Sequence, residues 1–222
     1  DAHVLVIGRD LLKNADLGEL VLFVESGGRV LILEQREIPT NFLEVGLADH
    51  YSTIAFPTYR SHPALEGLGE ESFRFWFGDH VVSYRDLRLP LLGSSIPLVQ
   101  SGYGLRYAQL LEVRLGEGVM IFSQLAIASK YEVEPRAGLI LSCLVKYLAE
   151  YEPLEVRVGV YRDTSMLRTL DLLGVEAPLI NGSLEGFNLV LVNGSSALPP
   201  PEEAVEFLKL GGVLYVYGLS RG

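Results

Sequence analysis

The residues able to do chemistry fall into three groups. The first is Glu34-Gln35-Arg36-Glu37, which follows the apolar run RVLIL at 29–33. In an open α/β sheet, catalytic groups gather beyond the carboxyl ends of the strands, so a nucleophile would stand here. A nucleophile elbow needs small residues around an exposed Ser or Cys, because its turn is tight and strained. These residues are bulky and no Ser or Cys stands near them, so no nucleophile is expected at this strand end. The single cysteine, Cys143, falls on the apolar face of a helix predicted over 135–150 and reads as a small core residue.

The second group is the four histidines, His3, His50, His62 and His80. His3 opens a predicted strand and reads as structural. No pair has the H-x-x-x-H or H-E-x-x-H spacing of a zinc site, so no metal is expected. Asp49-His50 and Asp79-His80 look like acid–base pairs, but neighbours on a strand point to opposite faces. Val6-Ile7-Gly8-Arg9-Asp10 lacks the glycines that let a backbone approach a pyrophosphate, and Gly182–Gly186 reads as a plain turn. No cofactor is expected.

The third and densest group is YRSHPALEGLGEESFRFWFGDH at 59–80. Ser61-His62-Pro63 makes a turn, and residues 70–77 suit a short amphipathic helix. Phe73, Phe75, Trp76 and Phe77 lie beside Arg74, Asp79 and His80. An aromatic face flanked by hydrogen-bonding charges suits a sugar ring, whose C–H face stacks while its hydroxyls are held. The sugar-binding candidates are therefore Trp76, Arg74, Asp79, His80 and His62. The plainer alternative is that the aromatics plug one end of a core and Arg74 pairs with a glutamate.

The elements that must position these groups alternate. HVLVIG (3–8) reads as a buried strand. Asn14 or Asp16 can cap a helix carrying Leu17, Leu20, Val21 and Val24, and Gly27-Gly28 stops it before the strand RVLIL. Strand, helix and strand within about 30 residues make a parallel βαβ unit. STIAF (52–56) is the expected third strand. HVVSYR (80–85), SIPLVQ (95–100), AQLLEVRL (108–115) and VMIFSQL (119–125) follow, the last two joined by a Gly116-Glu117-Gly118 turn, so part of the sheet should be antiparallel. Glu134-Pro135 opens a helix with Leu139, Ile140, Cys143, Leu144, Tyr147 and Leu148 on its apolar face.

Tyr151-Glu152-Pro153 marks a boundary, which gives expected domains at 1–152 and 153–222. Beyond it come a strand at 155–161, a helix capped by Asp163 and stopped at Gly174, a short strand at 177–180, a strand at 188–194, a helix over 200–210, Gly211-Gly212, and a strand at 213–218. Setting Val4 against Leu189 brings the Gly-Gly pairs into register with one gap. The same βαβ phrase is used twice, FVESGGRVLILEQ in one lobe and FLKLGGVLYVYGL in the other. Chance likeness between two ordinary units of one larger sheet is the alternative.

The 222 residues carry a net charge of −10, which repels phosphate backbones and argues against a nucleic-acid partner. One cysteine excludes an internal disulfide, and no apolar run reaches the roughly 18 residues of a membrane span. The chain begins without methionine or a signal-like segment and reads as a piece of something longer or a processed chain. Its compartment is unreadable.

Three phrases carry a resemblance: SHPALEGLGEESFRFWFGDH, GLRYAQLLEVRLGEGVMIFSQLAI and EPRAGLILSCLVKYL. Together they resemble the non-catalytic, glutamine amidotransferase-like domains of large bacterial glycoside hydrolases of the family 2, β-galactosidase type. A related domain occurs in the trimerisation region of family 42 β-galactosidases. The shared positions are Ser61, His62, Pro63, Gly67, Leu68, Trp76 and Asp79; Gly116, Glu117, Gly118, Gln124 and Leu125; and Glu134, Pro135, Ala137, Leu144, Tyr147 and Leu148. The likeness covers roughly residues 3–150.

It implies a flavodoxin-like, class I glutamine amidotransferase-like three-layer sandwich with a mixed, mostly parallel sheet, beside a second partial α/β lobe. It also implies no amidotransferase chemistry, because Glu34 and Gln35 stand near where that family places its cysteine. The paired carboxylates of a glycosidase would lie on a separate catalytic domain of the parent chain. Three functions follow as expectations. The first is an accessory or structural domain that packs on that glycosidase domain, supports a homo-oligomer or rims a carbohydrate site. The second is a free-standing sugar- or nucleotide-binding module. The third is a hydrolase or amidotransferase-like enzyme using His50, Asp79, His80 and Glu34. A pocket on Trp76, Arg74 and Asp79 would favour sugar binding, a large apolar patch would favour docking, and an acid–His–nucleophile array would favour the enzyme.

Overall fold

The computed structural model describes residues 4–40, 42–90, 95–153, 156–173, 175 and 177–219. The chain forms two compact units, Asp1–Pro153 and Leu154–Gly222. The strand opening expected at His3 and the helix stop expected at Gly174 lie outside the described residues.

In the first unit, β1 (Val4–Ile7), α1 (Leu17–Glu25) and β2 (Arg29–Ile32) form the expected parallel βαβ unit. Asp16 is the cap: its Oδ1 accepts from the Gly18 and Glu19 amides, satisfying two donors that a helix start leaves free. The helix ends with the Gly27 amide on Val24 O and the Gly28 amide on Phe23 O. Gly27 adopts the left-handed conformation, with φ +98°, that this double closure requires.

The chain continues through β3 (Gly46–Leu47), β4 (Phe56–Pro57), β5 (Leu87–Arg88), β6 (Ser95–Ser101), β7 (Tyr107–Leu115), β8 (Gly118–Ser123), α2 (Ile127–Lys130) and α3 (Pro135–Glu150). The strands make one mixed sheet in the order β1-β2-β8-β7-β5-β3, with β6 on the other side of β7 and β4 on β6.

The run RVLIL is buried on both faces, as its composition predicts. Val30 and Ile32 join Met120, Phe122, Leu20 and Val24 in a core under α1. Leu31 and Leu33 join Val119, Ile121 and the Ile140, Leu144 and Leu148 stripe of α3 on the opposite face. The sheet is thus covered by helices on both sides. Each fully buried aliphatic side chain contributes about 1.5–3 kcal/mol.

Several expectations need correction. Pairing in this first sheet is parallel only at β1–β2 and β2–β8 and antiparallel elsewhere, not mostly parallel. Short connections such as the Gly116-Glu117 hairpin leave no room for a parallel crossover. STIAF and HVVSYR are not full strands. They meet through one bridge pair, Ser52 with Ser83, while Ile54 bridges Arg74 of the aromatic segment and only Phe56 enters a strand. Residues 70–77 form one 3₁₀ turn at Glu70–Phe73 rather than an amphipathic helix. On α3, Leu139 is exposed and Cys143 only half-buried, because the packed stripe runs through Ala137, Ile140, Leu144 and Leu148.

The second unit contains β9 (Val158–Tyr161), α4 (Thr164–Leu172), β10 (Leu179–Ile180), β11 (Leu189–Asn193), α5 (Pro201–Lys209) and β12 (Val213–Tyr217). All pairings in its β10-β9-β11-β12 sheet are parallel. Tyr161, Ile180, Leu184, Val190, Val192 and Phe207 form its core. The repeated phrase folds the same way. The Gly211 amide bonds Leu208 O and the Gly212 amide bonds Phe207 O, with Gly211 at φ +90°.

Candidate functional site

The carboxyl ends of β1, β2 and β8 are where an α/β enzyme keeps its chemistry. Here the chain's own side chains occupy them. The Glu34 carboxylate accepts from the Ala128 and Ser129 amides at 3.0 and 2.9 Å, capping α2. Gln35 accepts from the Leu12 amide at 3.0 Å and donates to Gly8 O and Leu33 O at 2.9 and 2.7 Å. Its backbone closes a two-way bond with the Gln124 side chain at 2.8 and 3.0 Å. Asp10 accepts from the backbone amide and guanidinium of Arg36, both at 2.8 Å. Burial opposes ionisation of Asp10, but those bonds outweigh it and hold the carboxyl below its usual range. Glu34, Gln35 and Gln124 are all buried and engaged with backbone, so none is free to meet a substrate.

The aromatic segment is also anchored from within. Trp76 has no exposed surface; its indole packs in the α3-side core and donates to Ser72 O at 2.8 Å. It therefore presents no face to a ring. Phe75 and Phe77 do reach solvent, with His80 edge-on to Phe75 at 6.0 Å. Arg74 pairs with Glu70, which also pairs with Arg60.

Asp79, whose side chain is half-exposed, accepts from the Lys130 ammonium at 2.5 Å, the Val81 amide at 3.0 Å and the Tyr84 hydroxyl at 2.8 Å. Burial alone would raise the Asp79 carboxyl; these donors overcome that and lower it to about 2. Lys130, itself buried, also donates to Phe77 O and Val81 O. Glu134 accepts from the Phe77 amide, and Arg136 donates to Glu71 O, Arg74 O and Phe75 O. Lys130, Glu134 and Arg136 thus sew the segment onto the start of α3. Only the Glu134 helix-start position was readable from sequence.

His62 is a clamp rather than a surface ligand. Its Nδ1 accepts from the Ala64 amide at 3.3 Å, and its Nε2 faces Glu112 Oε2 at 3.2 Å. Glu112, buried on β7, also receives Tyr147 Oη at 2.7 Å and Arg114 Nε at 2.6 Å. Burial raises the Glu112 carboxyl, the three donors more than reverse this, and its net shift is downward. The bonds tie the turn at 62–65 and α3 to the sheet.

His50 has a partner that spacing did not disclose. Its Nδ1 lies 2.5 Å from Oδ2 of Asp86, a carboxylate with no exposed surface. Ser52 and Ser101 donate to the same oxygen at 2.7 and 3.2 Å, Gln109 donates to Ser101 at 2.6 Å, and Tyr107 stacks on the imidazole at 4.3 Å. The composition is that of a Ser-His-Asp triad, but the connectivity is not. A triad needs the hydroxyl on Nε2, opposite the carboxylate. Here both hydroxyls sit on the carboxylate and are buried. Among the described residues no hydrogen bond links His50, Asp79, His80 and Glu34 to one another: His50 bonds Asp86, Asp79 bonds Lys130, Glu34 bonds α2, and His80 packs edge-on against Phe75.

In the second unit, Asp163 collects bonds where the strand order reverses between β9 and β11. Its Oδ1 accepts from Ser165 and from the Met166 amide, and its Oδ2 from Asn193 Nδ2 at 2.7 Å and Tyr217 Oη at 2.9 Å. The Ser165, Asn193 and Tyr217 donors hold this carboxyl far below its usual range. It caps α4 and ties three strand ends together. Among the described residues no group of three or more His, Cys, Asp or Glu side chains could hold a metal, and no helix is long and apolar enough to cross a membrane.

No protein-family model matches the chain, and no curated protein sequence matches it either.

Proposed function

We propose that this chain is a non-catalytic accessory domain of a carbohydrate-active enzyme. It would be an amidotransferase-like, flavodoxin-like scaffold that packs on a glycosidase domain of its parent chain and supports assembly there. The carbohydrate connection rests on the resemblance, which covers roughly residues 3–150. The absence of chemistry is supported by one observation above the rest: Glu34, Gln35 and Gln124 use their polar atoms to hold backbone at the strand ends. The test is to assay the purified chain with chromogenic glycosides, esters and glutamine. No turnover is expected. Turnover that Glu34→Gln or His50→Ala abolishes would overturn the scaffold reading.

A second reading, a sugar-binding module, draws support from an open cleft of about 820 Å³. Arg60, Glu70, Arg74, Phe75 and Arg136 line it. Arg74 Nε is buried there without a hydrogen-bond partner among the described residues. The stacking face would be Phe75 in place of Trp76. Titration with mono- and oligosaccharides, followed by the Phe75 and Phe77 ring resonances, separates the two readings. A saturable shift lost in Phe75→Ala favours binding, and a flat response favours the scaffold.

A further inference from the structure

The two copies of the βαβ phrase have different neighbours. Aligning Val4 with Leu189 sets β1 on β11 and β2 on β12, with matching pair registers, Val4 to Arg29 in one unit and Leu189 to Val213 in the other. On the side away from β12, β11 pairs with β9 in parallel, Leu189 to Val158 through Val192 to Tyr161. Among the described residues no strand pairs with the equivalent side of β1, which is a sheet edge. The consequence is visible in burial. Val190 has no exposed surface, while its counterpart Leu5 is 43% exposed, and Val6 beside it is exposed too.

A second difference lies on the helix side. In the second unit, Leu184, from the loop between β10 and β11, is buried in the core against Phe207 of α5. Its amide donates to Glu203 Oε1 at 2.7 Å. With Phe23 set on Phe207, Glu203 corresponds to Glu19 of α1. Glu19 has no side-chain partner among the described residues. Where Leu184 would sit, the first unit instead has a groove of about 550 Å³ lined by Leu5, Val6, Leu11, Glu19, Leu20 and Phe23, among others.

We infer that the groove between β1 and α1 is a docking site for a strand–loop element of the β9–β10 kind, presented by a partner polypeptide. The occupant is defined residue by residue. A short apolar strand adds parallel to β1, with residues of the Val158 to Tyr161 kind opposite Val4 to Ile7. A loop reached, as in the second unit, through a helix and a short second strand then sets one aliphatic side chain against Leu20 and Phe23 and donates a backbone amide to Glu19. Strand addition satisfies the edge backbone, and the groove supplies side-chain selectivity. A second copy of this chain is the weaker occupant, because two chains of charge −10 repel. The docking surface follows from the repeat alone, whichever enzyme the domain serves.

The probe is a synthetic peptide of residues 156–187, added to the full 222-residue chain and followed by amide shifts and hydrogen exchange. The expected result is saturable shifts and new protection at Val4 to Ile7. Leu5→Arg should weaken binding at least about tenfold by placing a charge in the apolar seam, and Glu19→Ala should weaken it less. Leu5 is already solvent-exposed, so an unchanged melting midpoint would show that the variant folds. Val213→Arg, on β12, should leave binding unaltered. No change at β1 with millimolar peptide would overturn the inference, as would changes confined to β11 and β12. Shifts at β1 that track protein concentration without peptide would also overturn it, by assigning the edge to a second copy.

Discussion

The β1–α1–β2 and β11–α5–β12 units share a helix stop down to single hydrogen bonds, with a phenylalanine lying over the second glycine in each. Their second strands nevertheless live in different surroundings. β2 is covered on both faces and paired with β8, and its Leu31 has no exposed surface. β12 is a sheet edge, and the matching Tyr215 is 59% exposed. The local phrase dictates the turn, through glycine's access to left-handed backbone and the closure of two orphan carbonyls. Distant strands decide what is buried. The strand ends differ in the same way: Glu34 closes the first unit by reaching α2, whereas Gly218 stands at the matching place in the second and Asp163 closes it from another strand.

The largest expected difference is in the strands. Leu31→Ala should cost about 3 kcal/mol, as buried leucine truncations do. Tyr215→Ala should fall within about 0.5 kcal/mol. Urea unfolding checks both, and equal losses would mean that β12 is covered. Next come the glycines. A Cβ at Gly28 would collide first with Phe23 O, which is backbone, as well as the ring; at Gly212 its nearest neighbours are atoms of the Phe207 ring, which can turn. Gly28→Ala should therefore cost about 2 kcal/mol and Gly212→Ala about 1. Glu34→Ala, which frees the Ala128 and Ser129 amides, should cost about 1–2 kcal/mol and leave the second unit's unfolding unaltered.

The smallest effect is in acid. Hydrogen bonding from Arg136 lowers Glu134 to about 2, and Asp79 lies at about the same value. Carboxyls depressed in the folded state contribute stability above their unfolded values near 4, and that stability is lost as pH falls toward 2. The first unit's melting midpoint should decline between about pH 5 and pH 2. In Glu134→Gln that decline should be shallower; an unchanged slope would remove Glu134 from the anchor.

Much of the fold was legible because it rests on local grammar. Gly27-Gly28, Gly211-Gly212, Asp16, Asp163 and Glu134-Pro135 each act within a few residues, so spacing alone discloses them. HVVSYR and STIAF misled because a β-branched run has the same composition whether it joins a full ladder or makes single bridges. Trp76 misled because four aromatics in five positions do not say which one turns inward; the Ser72 carbonyl and the α3 stripe decide that. The His50–Asp86 pair left no signal, since its members are 36 residues apart on segments that only the sheet brings together. No nucleophile was expected at Glu34; what its carboxylate does, capping a helix 94 residues onward, is a tertiary fact that spacing does not disclose.

The most direct measurement is amide hydrogen exchange at Ala128 and Ser129, in the wild-type chain and in Glu34→Ala. If the strand end is closed by its own carboxylate, both amides are protected in the wild type and lose protection in the variant, while Leu31 stays slow in both. Fast exchange at Ala128 and Ser129 in the wild type would leave Glu34 free at the mouth of the sheet, and would contradict a scaffold whose catalytic position is filled.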